Sequence, residues 1–208
     1  VGENADAVVL TDCINNGVAA GYEEYVGGIV GYNANGATIS DCASYLSDYD
    51  NSIYNTIVNN WEAKADYAGG IAGYNDGNIL FSEESQNITV KSVSSIVVGE
   101  DYVGGVVGFN DVNARISVKY TLIGGRIYAF GKCAGGAFGL NASASVTESD
   151  LKIRPRSVEG QLFVGGCIGA NLVNTNNDLV MDGIHTDNIL GTIKGKAFCG
   201  GVVGYIST

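Results

Sequence analysis

Proline and histidine are almost missing from this sequence: each occurs once in 208 residues. Beside 31 glycines, a single proline excludes collagen-like repeats and Pro-rich linkers. The lone histidine, His185 in GIHTD, leaves no H-E-x-x-H, so a helical zincin site is excluded and no chemical task is expected of His185. Positive charge is also scarce, with 11 Lys and Arg against 22 Asp and Glu and a net charge of −11. Such a chain repels phosphate backbones and anionic lipid, so neither nucleic acid nor membrane insertion is expected. No apolar run reaches the roughly 18 residues that a membrane-spanning helix needs, and no signal peptide is visible. The chain opens on Val1, which reads as the start of a mature or excised piece of something longer. The five cysteines, Cys13, Cys42, Cys133, Cys167 and Cys199, form no C-x-x-C, and their density is far below that of a disulfide scaffold.

Against these absences stands one recurring frame. YVGGIVGYN at residues 25–33 returns as YAGGIAGYN, YVGGVVGFN, CAGGAFGLN, FVGGCIGAN and FCGGVVGYI. The double glycines begin at Gly27, Gly69, Gly104, Gly135, Gly165 and Gly200, at intervals of 30 to 42 residues. The frame closes on Asn33, Asn75, Asn110, Asn141 and Asn171, with Ile206 in the sixth copy. Repeats of 20 to 50 residues point to a solenoid or a propeller. After each Asn comes a polar turn and an alternating run (ATISDCA, NILFSEE, ARISVKY), then a second short run that ends near the next aromatic. Alternation of period two reads as strand. A WD40-type blade needs four strands in about 40 to 45 residues. The shortest periods here have room for three.

The predicted fold is therefore all-β, one right-handed parallel β-helix (β-solenoid) of about six coils with three short strands per coil. It fills residues 1–208 as a single domain, with an insertion at 44–58 in the first full coil. Stacked coils turn equivalent positions into columns. The glycine column is expected to serve corners, through unusual backbone angles or close approach. The Asn column is expected to bond along the axis as an amide ladder. One tension remains in YVGGIVGYN: Tyr25 and Ile29 on one face and Val26, Val30 and Tyr32 on the other are all apolar. A strand with one wet face does not look like this. Either another part of the molecule covers the sheet or the sheet is an interaction surface.

GGIVGYN, GGIAGYN and GGVVGFN resemble the GLUG motif, a Gly-rich repeat of large bacterial surface proteins. The resemblance implies an exported β-solenoid stalk or binding region at the cell surface or cell wall, as in adhesins and the non-catalytic part of IgA-specific metallopeptidases. It brings no catalytic residues.

Candidate chemistry is thin. Asp12 and Asp41 hold equivalent places in LTDC and ISDC, with Glu148 in a similar slot in VTES, and would stack as an acidic column able to hold a cation or a substrate. The blander reading, a solvated face, is preferred. Asp48, Asp50 and Ser52 alternate oxygen ligands as a calcium loop begins, without its Gly or bidentate Glu, so a plain acidic insertion is preferred to calcium and no other cofactor is expected. The cysteines are expected to be free buried thiols, with Cys13 and Cys42 as the one pair close enough to check. Tyr45, Tyr49 and Tyr54 are the binding candidates, because a tyrosine ring is apolar with a polar tip. The expected function is a non-enzymatic structural or adhesive surface module that binds host protein, glycan or other copies of itself. The alternatives are a polysaccharide-active enzyme on the same scaffold and a self-assembling fibre subunit.

Overall fold

A computed structural model of the chain describes residues 1–19, 21, 23–45, 59, 64–81, 91–119, 121–143, 146–149, 151–172, 184–185 and 191–207. Its strands form four sheets, and every described strand pairing is parallel. Sheet I stacks Tyr25–Gly27, Tyr67–Gly69, Tyr102–Gly104, Cys133–Gly135, Phe163–Gly165 and Phe198–Gly200. Sheet II stacks Glu3–Asn4, Val30–Asn33, Ala72–Asn75, Val107–Asn110, Phe138–Asn141, Ile168–Asn171 and Val203–Ile206. Sheet III runs from Val9–Thr11 through Thr38–Ser40, Asn78–Leu80 and Arg115–Lys119 to Val146–Ser149. Sheet IV begins at Ile14–Asn15 and Ala43–Tyr45 and continues in the longer strands Lys91–Gly99, Thr121–Ala129 and Leu151–Glu159, the last of which pairs with both Ile184–His185 and Thr192–Lys194. The chain is a parallel β-solenoid that visits sheets I, II, III and IV in turn. Four coils have all four strands among the described residues, so the solenoid has about four turns there and not six.

The fourth strand arises because the glycine-rich frame is not one strand. It breaks after its first glycine, leaving YVG in sheet I and VGYN in sheet II. The corner itself is bonded from coil to coil: Ile71 N–H donates to Val106 O at 2.8 Å, and Ala72 N–H to the same oxygen at 3.2 Å. The bend leaves no space for a side chain. A Cβ on Gly69 would lie 1.9 Å from Ala72 O, and one on Gly104 2.0 Å from Val107 O. Close approach is therefore what selects glycine here. Left-handed backbone is not: among the described residues the positive-φ glycines are Gly36 and Gly125, both outside the frame.

The corner also assigns the apolar residues to separate cores. Ile71, Ala72, Val106, Val107, Phe138 and Ile168 pack inward with Ile39, Ile79 and Ile116 of sheet III. Ala68, Val103, Ala134 and Val164 of sheet I pack with Val97, Ile127, Ala129 and Val158 of sheet IV. Each fully buried Val or Ile stabilises the fold by about 1.5–3 kcal/mol.

Two expectations need correction, the burial of every thiol and the reach of the acidic column. Not all the thiols are buried: Cys42, Cys133 and Cys167 are, Cys13 is half-buried, and Cys199 is exposed on the last strand of sheet I. None of the five is in a disulfide, and Cys13 meets Cys42 through its N–H, which donates to the Cys42 Sγ at 3.3 Å. Asp12 and Asp41 do occupy neighbouring coils, but at left-handed turn positions, φ 53° and 54°, which Asp tolerates better than most residues. Thr11 Oγ1 donates to Asp12 at 3.2 Å and Ser40 Oγ to Asp41 at 3.0 Å. The column does not run on to Glu148. The residue after Leu80 in the next coil is Phe81, buried in the core, and Glu148 stands beside Val118.

Candidate binding face

The outer side of the glycine corner explains why the frame is apolar on both faces. Sheets I and II fold toward each other there, and their outward side chains cover one another. Along sheet I, Tyr25 stacks on Tyr67 with centroids 5.3 Å apart, and Tyr67 on Tyr102 at 5.2 Å and 12° between planes. Along sheet II, Tyr32 lies 5.4 Å from Tyr74, and Tyr74 stacks on Phe109 at 5.0 Å and 5°. Across the corner the rings meet edge to face: Tyr67 with Tyr74 at 77°, Tyr102 with Phe109 at 87°. This places electropositive ring edges on electron-rich faces, worth about 0.5–1.5 kcal/mol per pair. Farther along, Cys133, Leu140 and Ala170 continue the stripe as a small third core, flanked by Phe163 and Tyr205, whose rings lie 4.6 Å apart.

The third glycine of the frame makes this fit. A Cβ on Gly73 would lie 2.7 Å from Val26 N and 2.8 Å from Tyr67 O, so the two sheets meet backbone to backbone beneath the rings. Behind the corner runs the amide ladder. Asn4 Nδ2 donates to Asn33 Oδ1 at 2.9 Å, Asn33 to Asn75 at 2.7 Å, Asn75 to Asn110 at 2.9 Å, Asn110 to Asn141 at 2.8 Å and Asn141 to Asn171 at 2.9 Å. All six are buried. Sequence reasoning missed Asn4, although Gly2-Glu3-Asn4 repeats the closing G-x-N of the frame. Its Oδ1 is buried without a hydrogen-bond partner.

Carboxylates rim the aromatic groove. Glu24, Asp66 and Asp101 each precede a groove tyrosine, and Asp76 and Asp111 each follow a ladder Asn. Tyr74 Oη donates to Asp111 Oδ2. Burial first, then that bond and the carboxylate charge, pushes the Tyr74 hydroxyl well above its ordinary pKa. Tyr25, Tyr32 and Tyr67 are raised as well, burial being the largest cause in each. Lys132 takes the next place on the rim of sheet I. Its ammonium donates to Asp101 Oδ2 at 2.5 Å, which raises its pKa, and lies 5.3 Å over the Tyr102 ring. The signal for this rim was in the sequence, as an acid before the first aromatic in three successive frames: EY, DY and DY.

Of the residues expected to bind, Tyr45 is half-buried on sheet IV, its backbone in register with Ser94 and away from this groove. Tyr49, Tyr54, Asp48, Asp50 and Ser52 lie outside the described residues. Among the described residues no group of three or more His, Cys, Asp and Glu could hold a metal ion.

The chain is thus a parallel β-solenoid whose rungs are written in one glycine-rich frame and whose outer corner carries an acid-rimmed aromatic stripe. Residues 22–44, which hold the first copy of the frame, match the GLUG motif. That match runs from just before the first sheet I strand, through the corner and sheet III, into sheet IV. No curated protein and no solved structure matches the chain.

Proposed function

We propose that this chain is a non-enzymatic, exported module of a bacterial cell surface or wall, which adheres to host protein, glycan or another cell through one extended face. The observation that carries the reading is the linear repetition of the outer corner. Tyr25, Tyr67 and Tyr102, with their preceding acids, present the same chemistry at each coil, about 4.8 Å apart. Such an array suits many shallow contacts along a line. The GLUG motif, a repeat of large surface proteins, supports the exported setting.

The test couples the purified chain to beads and measures retention of host cells and of arrayed host proteins and glycans. Saturable retention that falls when Tyr25 and Tyr67 are changed to Ser supports the reading. No retention on any surface, or turnover of a polysaccharide by the chain, overturns it.

A further inference from the structure

Two of the five cysteines stand over one another. The strands that follow them pair Ile14 with Ala43 and Asn15 with Ser44, so Cys13 and Cys42 are neighbours in one column, a coil apart. The other three have no cysteine beside them: Cys133 lies between Tyr102 and Phe163, Cys167 between Ala137 and Val202, and Cys199 next to Val164. Neither Cys13 nor Cys42 is in a strand. Each follows a left-handed Asp at the corner between sheets III and IV. There a sulfur stands in the backbone ladder, because Cys13 N–H donates to the Cys42 Sγ. Each thiol donates to the carbonyl two residues before it, Cys13 to Thr11 at 3.5 Å and Cys42 to Ser40 at 3.3 Å, so the two side chains take the same course. The thiols also meet each other. Burial pushes Cys42 up to about 12, and a side-chain hydrogen bond with Cys13 adds to the rise. Parallel strands run about 4.8 Å apart, within the roughly 4.4–6.8 Å that a disulfide needs between Cα atoms.

We infer that Cys13 and Cys42 form an oxidation site: in the folded chain a low-molecular-weight disulfide converts them to an internal disulfide that staples one full coil. The order of events follows from burial, since Cys13 is half-buried and Cys42 buried. The Cys13 thiolate attacks the incoming disulfide, forms a mixed disulfide and releases one thiol. The Cys42 sulfur then gives up its proton and attacks the Cys13 sulfur, which releases the second thiol. Two protein thiols are oxidised, one disulfide is reduced to two thiols, and the leaving thiolates take up the two protons. The second step is intramolecular, between sulfurs that the corner already holds together. The new bond closes a loop over Ile14–Asn15, Tyr25–Gly27, Val30–Asn33 and Thr38–Ser40, one strand from each sheet. Such a closure removes chain entropy from the unfolded state. The site is separate from the aromatic face at the corner of sheets I and II and does not depend on what that face binds.

The probe is glutathione disulfide, added to the whole reduced chain under native conditions. Remaining thiols are then alkylated in denaturant, and a glutamyl endopeptidase cuts at Glu23 and Glu24, between the two cysteines. Mass spectrometry should find the Cys13 and Cys42 fragments joined, and separated again by reduction. The joined pair should exceed the Cys13–glutathione adduct by at least about tenfold, because the second step is intramolecular. Cys42→Ser should stop at the adduct on Cys13, and Cys13→Ser should leave Cys42 unmodified. The oxidised chain should melt above the reduced one, and dithiothreitol should remove the difference. The map of the unsubstituted chain decides the matter even where a variant folds poorly. A native chain that keeps glutathione on Cys13 while Cys42 remains alkylatable would overturn the inference, as would a Cys13–Cys42 bond that forms only after unfolding in urea. Oxidation that lowers the melting temperature would overturn the staple, since the coil would then have to distort to close the bond.

Discussion

The side-chain amide of Asn75 donates to the side-chain oxygen of Asn110 across 2.9 Å, although 35 residues separate them in the chain. Both are fully buried, and each is a donor to one coil and an acceptor from the other. A buried amide is costly only when unpaired, so the column is stable as a whole and fragile at any single place.

Asn110→Leu should therefore cost more than one hydrogen bond. It leaves Asn75 Nδ2 and Asn141 Oδ1 without their ladder partners in the interior. The expected loss is about 2–5 kcal/mol in urea unfolding. Asn113→Ala, which removes an exposed bond to Asp76, should stay within about 0.5 kcal/mol. Equal effects would mean that the ladder contributes no more than a surface contact.

Gly73→Ala tests the corner. The new methyl would meet three backbone atoms, Val26 N, Tyr67 O and Gly31 O, at 2.7 to 2.9 Å, and backbone cannot rotate aside. About 3 kcal/mol of destabilisation is expected. Gly2→Ala, with nothing within 4 Å of the new atom, is the control and should be neutral. A thermally unchanged Gly73→Ala chain would show that sheets I and II are not pressed together there.

Alkali should loosen the aromatic stripe. Tyr25, Tyr32, Tyr67 and Tyr74 have folded pKa values raised above 10.0. Between the unfolded and folded values the native chain binds more protons than the unfolded one, so stability is full below about pH 10 and falls as pH rises past it. Lys132, raised by its bond to Asp101, shifts in the same direction. The melting temperature should be level from about pH 7 to 9 and then drop, with a shallower drop in Tyr74→Phe. A rise above pH 10 would contradict the burial of these hydroxyls.

Thiol labelling should separate the cysteines by position. Burial pushes Cys42 and Cys133 up to about 12, which leaves almost no thiolate at pH 8. Cys199 is exposed and Cys13 half-buried. Mass spectrometry after alkylation of the native chain should show Cys199 modified first, Cys13 more slowly, and Cys42, Cys133 and Cys167 only in denaturant. Early modification of Cys133 would mean that the stripe around it opens.

Much of this architecture could be read from the sequence, because a solenoid repeats its local rules. Six copies of one frame put Gly27 to Gly200 and Asn33 to Asn171 into columns before any coordinate was known, and parallel stacking keeps such columns in register. What the frame did not show was its own break. A residue-by-residue pattern cannot distinguish a strand buried on both faces from two short strands whose outer faces cover each other. That distinction is set by the angle at Gly69 and Gly70, where backbone meets backbone across coils. The same angle brings the tyrosines of the frame together edge to face, with their preceding acids, while Tyr45 lies on sheet IV away from them. Asp12 and Asp41 stack on neighbouring coils as turn residues, and their column ends at Phe81 in the next coil. Sequence alone determined which residues recur. Only the tertiary structure decided which way each recurrence faces, because facing depends on contacts between coils 30 to 42 residues apart.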